Sequence, residues 1–193
     1  MASWAFGALE RERYGLILAD PPWKFKTYAD DISPKSAASK YTLMTRSELR
    51  NLPVYQLAAK DCALVMWATQ AQVPEALDLL ACWGFVYKTM GAWGKLSKAS
   101  KIEDEDRKKA FGTGYILRSA AEFFIIGARG NPKVATRSER NWIEAPVREH
   151  SRKPDEMHEM LERMYPNARK CELFGRGRRD GWDVWGNERT RFS

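Results

Sequence analysis

Five short apolar runs recur along the chain, and each is nearly continuous rather than alternating with polar residues. Runs of this kind are typical of strands that are buried on both faces of a parallel-rich sheet. The predicted strands are YGLILAD (14–20), CALVMWAT (62–69), FVYKTMGAW (85–93), AEFFIIGAR (121–129) and KCELFG (170–175).

Three segments between these strands carry helix signals. TRSELRNL (45–52) opens with Thr45 and has Glu48 three residues later, as in a capping box. VPEALDLLACWG (73–84) has a proline near its start and ends at a glycine. KPDEMHEMLERMYP (153–166) has acidic residues in its first turn and apolar residues at helical spacing. The alternation of strands and helices predicts an α/β fold: a doubly wound, mostly parallel central sheet with helices on both faces.

Two polar segments lack a long apolar period and are predicted to be loops. They are KFKTYADDISPKSAASKYTLM (24–44) and GKLSKASKIEDEDRKKAFGTGY (94–115). Both follow a predicted strand, which places them at the carboxyl edge of the sheet, where α/β folds bind ligands. Loops of this length are usually functional or disordered, so we expect both to be mobile. Apart from them, the 193 residues are expected to form a single domain (1–193).

The composition excludes several classes of protein. With 44% apolar and 30% charged residues, the chain is typical neither of disordered nor of membrane proteins. The N-terminus lacks a basic start followed by an apolar run, so no signal peptide and a cytoplasmic location are expected. The three cysteines, Cys62, Cys82 and Cys171, each stand alone in an apolar setting and are expected to be small buried residues. The two histidines lack zinc-ligand spacing, so no metal site is expected. The net charge of +7 favours a polyanionic partner without establishing one.

The first predicted strand ends in an acidic corner stiffened by two prolines, DPPW (20–23). The proline that follows Asp20 directs this residue towards extended geometry, and neither proline has an N–H group. The carboxylate and the prolyl carbonyl oxygens can accept both hydrogens of an NH₂ group while the Trp23 indole stacks on its ring. Such a corner would orient and polarise a weakly nucleophilic amine such as that of adenine. The alternative interpretation is a turn that only ends a buried strand.

DPPW resembles the catalytic motif of amino-directed adenine methyltransferases. More narrowly, the chain resembles the family named for the seventy-kilodalton subunit of the eukaryotic messenger-RNA adenosine methyltransferase, which has bacterial and phage members. The resemblance covers roughly residues 14–188. Besides DPPW, it is carried by KYTLMTRSELRNLPV (40–54), ALVMWAT (63–69), WGK (93–95), GTGYILRSAAEFFIIGARGNP (112–132), HSRKPDEMHEMLERMYPNARKCELFGR (150–176) and GWDVWGNE (181–188).

This resemblance implies a Rossmann-like class I methyltransferase fold and S-adenosylmethionine as the cofactor. It implies methyl transfer to the exocyclic amine of adenine in DNA, in a bacterial or phage-infected cell; the compact length of the chain favours DNA over RNA. The same reaction on RNA adenosine and a non-catalytic nucleic-acid-binding subunit are the alternatives. Nucleic acid is the expected partner, no membrane is expected, and a homodimer or a second subunit is left open.

The resemblance also implies the residues of each site. Catalysis is assigned to Asp20, Pro21, Pro22 and Trp23. Cofactor binding is assigned to Asp20, Lys153, Pro154, Phe174, Arg176, Asn187 and Glu188. Binding of the target base and its strand is assigned to Trp23, Lys24, Tyr41, Arg118 and Glu122.

Several of these assignments have structural alternatives. Lys153 and Arg176 could be solvated surface charges, and Phe174 could belong to the core. Arg118 and Glu122 could form a structural ion pair with each other. The contact with the cofactor's adenine is left open among Trp4, Ala5 and Phe6, and Trp67 and Trp93 are expected in the core. The basic residues of the second loop form either a solvated surface or a phosphate contact: Lys95, Lys98, Lys101, Arg107, Lys108 and Lys109.

Overall fold

The computed structural model describes residues 4–23, 43–103, 105–112, 116–149 and 152–187. Within these residues the chain forms a seven-stranded mixed sheet. The strands are β1 (Tyr14–Ala19), β2 (Ala58–Ala68), β3 (Val86–Leu96), β4 (Ala121–Arg129), β5 (Trp142–Pro146), β6 (Lys170–Leu173) and β7 (Trp182–Trp185). The α-helices are α1 (Arg46–Arg50), α2 (Val73–Cys82) and α3 (Asp155–Met164), with 3₁₀ turns at Val54–Gln56 and Gln70–Gln72.

The strand order is β5-β3-β4-β2-β1-β6-β7. β1 pairs in parallel with both β2 and β6, and β4 runs antiparallel to its neighbours β2 and β3. The carboxyl ends of the other six strands therefore lie at one edge of the sheet, together with the amino end of β4. β2 lies on one side of β1 and β6 lies on the other, so the strand order reverses at β1. In open α/β sheets, ligands bind in the crevice at the point where the strand order reverses.

Successive residues of β1 pack into two separate cores. Ile17 and Ala19 pack with the side chains of α1 and α2 on one face. Leu16 and Leu18 pack with Met157 and other side chains of α3 on the opposite face. This burial on both faces explains why the run has no polar alternation. It confirms the predicted α/β fold with helices on both faces of a mostly parallel sheet.

All five predicted strands and all three predicted helices are present. Helix α1 begins with the predicted capping box, in which the Thr45 side chain and Glu48 bond each other's backbone N–H groups. The sequence did not reveal β5 and β7, because each is short and contains a charged residue. It also did not reveal that β4 is antiparallel. No described helix connects β3 to β4, so the chain returns without the crossover that a parallel pair needs.

The burial of individual residues corrects one expectation. Trp67 and Trp93 are buried, as predicted, and so are Cys62 and Cys171. Cys82 is exposed at the end of α2, so its prediction as a buried residue was wrong.

Strand β3 continues to Leu96, so the second predicted loop begins later than residue 94. No helix in the described ranges is both long and apolar enough to span a bilayer.

Both the backbone conformation at residue 130 and the lack of space around its Cα require a glycine there. It has φ +64°, and an alanine Cβ there would collide with the Asp61 carboxylate and the Lys60 carbonyl oxygen. We expect Gly130→Ala to lower the free energy of unfolding by about 3 kcal/mol, as measured by urea denaturation. Gly181→Ala is the matched control, since Gly181 has φ +79° but a Cβ added there would have nothing within 4 Å. It should lose only about 1 kcal/mol, and equal losses would show that the collision relaxes.

Candidate active site at the carboxyl edge

The DPPW corner continues β1 at the carboxyl edge. The Asp20 N–H donates to the Leu173 carbonyl oxygen at 3.3 Å, which extends the β1–β6 pairing by one step. The Pro21 carbonyl oxygen accepts from the Trp23 N–H, and the Pro22 carbonyl oxygen accepts from the Met44 N–H, both at 2.9 Å. A carbonyl oxygen has two lone pairs, so each retains one for a ligand. The corner is therefore fixed by backbone bonds on both sides.

Trp23 is half-buried, and its indole packs against the core on the α1 and α2 side of the sheet. Its Nε1 atom is buried and has no hydrogen-bond partner in the described part of the chain. A buried indole N–H usually has an acceptor. Trp23 Nε1 is therefore an unsatisfied buried donor, three residues along the chain from Asp20.

Lys153 lies between two buried carboxylates at this edge. Its Nζ is 3.0 Å from Asp20 Oδ1 and 3.0 Å from Glu122 Oε1. The second Glu122 oxygen, Oε2, is 2.8 Å from Lys95 Nζ. The four side chains form an ion-pair row, Asp20–Lys153–Glu122–Lys95, and each is at most 25% exposed. Asp20 follows β1, Lys95 lies near the end of β3, Glu122 lies near the start of β4, and Lys153 precedes the N-cap residue of α3. The row therefore exists only because the fold brings these four segments together.

The row distributes charge unevenly between its two carboxylates. Burial raises the pKa of Asp20, and the charge of Glu122 adds to this, against the opposing Lys153 and Arg176. Burial would also raise the pKa of Glu122, but Lys153 and Lys95 overcome it and hold that pKa at about 2. Lys153 itself is disfavoured by burial, yet the two carboxylates raise its pKa above the usual range. Asp20 is therefore the carboxylate of the row that accepts a proton most readily.

Two tryptophans lie beneath the row. The Lys153 ammonium lies 5.6 Å from the Trp67 ring centroid, and the Lys95 ammonium lies 4.8 Å from that of Trp93. The two rings meet edge to face at 6.3 Å, and Trp93 Nε1 donates to the Ala145 carbonyl oxygen at 2.9 Å. Ammonium groups are attracted to aromatic faces, so the rings help to hold the lysines in place.

A pocket opens between the carboxyl ends of β1 and β6 and the start of α3. Cationic and anionic side chains both line it, which suits a ligand that carries both charges together with hydroxyl groups. Phe174 in its wall has φ +63°, a costly conformation for a non-glycine residue that is frequent at functional sites. The lining residues are Asp20, Arg152, Lys153, Asp155, His158, Glu172, Phe174, Arg176, Gly177, Arg178 and Arg179.

His158 and Glu172 are two of the lining residues that sequence reasoning did not assign to a site, and they contact each other. His158 Nε2 lies 3.0 Å from Glu172 Oε2, and its buried Nδ1 atom has no partner among the described residues. The signal that was available is the position of Glu172, an acid near the carboxyl end of a buried strand. An acid at a strand end can bind a sugar diol. Nothing in the sequence distinguishes His158 from the other polar residues of α3. Only its contact with Glu172 in the structure identifies it as part of the pocket.

The structure separates the other predicted site residues. Asp20, Lys153, Phe174 and Arg176 line the pocket together, and Pro154 is the N-cap residue of α3. Asn187 is exposed, two residues beyond β7, and is not among the residues that line this pocket. Predictions for Lys24, Tyr41 and Glu188 lie outside the described residues.

Arg118 and Glu122 do not form the ion pair that the sequence left open. Glu122 is paired with the two lysines of the row. Arg118 is exposed, and its guanidinium lies 5.1 Å from the ring centroid of Phe111. The two residues therefore face different surroundings.

The sequence left open whether Trp4, Ala5 or Phe6 contacts the cofactor's adenine, and the three residues differ in burial. Phe6 is fully buried and contacts Trp185 edge to face at 5.0 Å, and Trp185 contacts Phe174 at 5.2 Å. Ala5 is exposed and Trp4 is partly exposed. Phe6 thus supports the pocket wall through other rings, rather than facing solvent.

Known proteins match almost the whole chain. The family model described as MT-A70 matches residues 14–188. The Type II methyltransferase M.MunI from Mycoplasma sp. is 31% identical, over 95% of this chain and 81% of that protein. An N(6)-adenosine-methyltransferase MT-A70-like protein from Arabidopsis thaliana is 35% identical, over 91% of this chain and 24% of that protein. The human N(6)-adenosine-methyltransferase catalytic subunit METTL3 is 32% identical, over 91% of this chain and 28% of that protein. The chain thus spans about a quarter of the plant and human relatives.

Proposed function

Since the chain belongs to the MT-A70 family of S-adenosylmethionine-dependent adenine methyltransferases, we propose that it methylates the exocyclic amine of adenine in nucleic acid, with DNA as the favoured polymer. The observation that carries this proposal is the Asp20 corner, which opens on the pocket between β1 and β6. An amine acceptor and a donor pocket then lie side by side, as methyl transfer requires.

The pocket residues fit S-adenosylmethionine chemically. When bound, this cofactor supplies a methyl group made electrophilic by a positively charged sulfur. Arg176 suits its carboxylate, Asp20 suits its ammonium group, and Glu172 suits its sugar hydroxyls. Lys153, assigned from the sequence to the cofactor, is bonded to Asp20 and Glu122, so we propose that it mainly holds Asp20 in place.

The DPPW corner would act on the target amine. The Asp20 carboxylate and the remaining lone pair of a prolyl carbonyl oxygen can accept the two amino hydrogens. This directs the nitrogen lone pair away from the ring, towards the pocket. After the amine gains a methyl group it must lose a proton, and the raised pKa of Asp20 suits it to receive that proton. Trp23, with its free buried Nε1 donor, is proposed to contact the base.

DNA is proposed as the polymer because M.MunI, matched over most of both lengths, is a Type II methyltransferase. RNA is the second candidate, because N(6)-adenosine-methyltransferases from plant and human match at similar identity.

Methyl transfer to matched polymers tests the proposal. The protein is incubated with labelled S-adenosylmethionine and with single-stranded DNA, duplex DNA or RNA of the same sequence. We expect labelled N6-methyladenine after digestion to nucleosides, in the largest amount from DNA. Oligonucleotides with hypoxanthine in place of adenine are the control, since they lack the amine and should remain unlabelled. Binding without transfer to any polymer would instead identify a non-catalytic subunit.

A further inference from the structure

An aromatic–cationic pair stands exposed beside the candidate active site. Phe111 is 78% exposed, although a phenyl ring in water is unfavourable. The Arg118 guanidinium lies 5.1 Å from its ring centroid. Neither residue belongs to the ion-pair row or to the pocket between β1 and β6. The site as described so far gives Phe111 no role, and the expected role of Arg118 in binding the target strand has no contact assigned to it.

Backbone bonds fix the position of Phe111 on both sides. The Ala110 N–H donates to the Lys95 carbonyl oxygen at 2.7 Å, and the Gly112 N–H donates to the Ser119 carbonyl oxygen at 2.9 Å. Ser119 lies just before β4, and Lys95 is the outermost member of the ion-pair row. The Phe111 ring is thus held at the carboxyl edge, next to the residues that lead to Asp20.

Phe111 lines an open groove whose two charged lining residues are both lysines, of which Lys95 is paired with Glu122 and Lys98 is exposed. Lys95, Lys98, Ser97 and Ser119 line the same groove, and no carboxylate is among its lining residues. Lys98 is exposed, and so is Arg118 above the ring. The acidic residues of the neighbouring loop, Glu103, Glu105 and Asp106, do not line the groove. Its chemistry therefore suits an anionic strand that also carries flat rings.

We infer that Phe111 and Arg118 form a stacking platform for a nucleobase next to the target adenine in a single strand, with Lys98 on the phosphate backbone. This rests on the proposed function and specifies its substrate. A base can lie on an aromatic face only if it is unstacked from its neighbours, which favours a single strand over an intact duplex. Ile116 and Leu117 are also exposed nearby, which would suit a protein partner, but the cationic groove favours nucleic acid.

Binding measurements test this platform without relying on catalysis. The dissociation constant of a labelled single-stranded oligonucleotide is measured by fluorescence polarisation for the parent protein and for Phe111→Ala. We expect Phe111→Ala to weaken binding roughly tenfold, the usual loss of one base–aromatic stack. Phe111→Trp should restore it. Tyr87→Ala is the matched control, since Tyr87 is a 45% exposed aromatic residue near the amino end of β3, at the opposite edge, and should bind as the parent does.

Abasic oligonucleotides identify the contact itself. An abasic position directly 5′ or 3′ of the target adenine should weaken binding to the parent roughly tenfold at one of the two positions. The same change should have little effect on Phe111→Ala, because the stack is already lost. Equal binding by the parent and Phe111→Ala overturns the platform. The platform is also overturned if Phe111→Ala changes the oligomeric state in sedimentation while its affinity for the oligonucleotide stays unchanged. That result would identify a protein interface. Failure of the proposed function would appear separately, as absence of methyl transfer by the parent.

Discussion

Replacing Asp20 with asparagine should reduce methyl transfer by about 10³-fold, since a neutral amide neither attracts the amino hydrogens as strongly nor accepts a proton. Cofactor affinity, measured by calorimetry, should fall by about tenfold, because the asparagine amide oxygen can still accept a hydrogen bond from the cofactor's ammonium group. Urea unfolding should change little, because Glu122 continues to pair with Lys153. The measurement is labelled-methyl transfer to an adenine-containing oligonucleotide at saturating cofactor.

A second Asp→Asn change separates this effect from a general loss of charge. Asp78 is exposed on α2 and pairs with Arg46 at 3.0 Å, away from the pocket. Asp78→Asn should retain the parent's rate. If Asp20→Asn also retained it, the carboxylate would have no part in the reaction and the proposed mechanism would be wrong.

Replacing Lys153 with methionine should impair both stability and activity. It leaves Asp20 without the ammonium at 3.0 Å and removes one of the two cations of Glu122. Removing one partner of a buried pair exposes the other to the full cost of burial, so we expect a loss of about 3 kcal/mol at about pH 8. Methyl transfer should fall with it, because the Asp20 carboxylate loses the group that orients it. Urea denaturation and the transfer assay measure the two effects.

The pH dependence of the stability of Lys153→Met distinguishes the loss of its ion pairs from a simple loss of packing. In the parent, the folded pKa of Glu122 is about 2, below its ordinary 4.5, so its stabilisation is present above 4.5 and is lost as the pH falls towards 2. In Lys153→Met, the pKa of Asp20, already raised by burial, should rise further. A raised folded pKa favours the folded state at low pH. The deficit of the variant should therefore shrink as the pH is lowered from about 8 and Asp20 takes up a proton. A deficit independent of pH would mean that only packing was lost.

Lys95→Met provides the matched comparison. Lys95 is 25% exposed and contacts only Glu122 within the row, and Glu122 would retain Lys153. The loss of stability should therefore be smaller than for Lys153→Met. An equal loss would show that the row acts as one unit, rather than through Lys153 at its centre.

The fold was predictable where local physics decides it. The run YGLILAD predicts a strand buried on both faces, and Thr45 with Glu48 predicts the start of α1, because each signal lies within a few residues. Strands β5 and β7 were not predictable, since WIEAP and WDVW acquire their pairing from β3 and β6. The antiparallel direction of β4 depends on the path of the chain, which no local pattern encodes.

The site was predictable in its parts and not in its connections. DPPW identifies the corner, and the resemblance includes Lys153 and Glu122. Their contact, however, joins residues 20, 122 and 153. The sequence left open an ion pair between Arg118 and Glu122, whereas the partners of Glu122 are Lys95 and Lys153. The pairing of His158 with Glu172 was equally hidden.

By itself, the order of residues determined the buried strands, the rigid acidic corner and the family, because each depends on neighbours along the chain. Only the tertiary structure decided which charges meet. Strands β1, β3 and β4 place their ends at one edge, and burial there makes each carboxylate depend on an ammonium group from a distant segment. Electrostatic energy depends on distance in space and on exclusion of water, and neither is written in sequence separation.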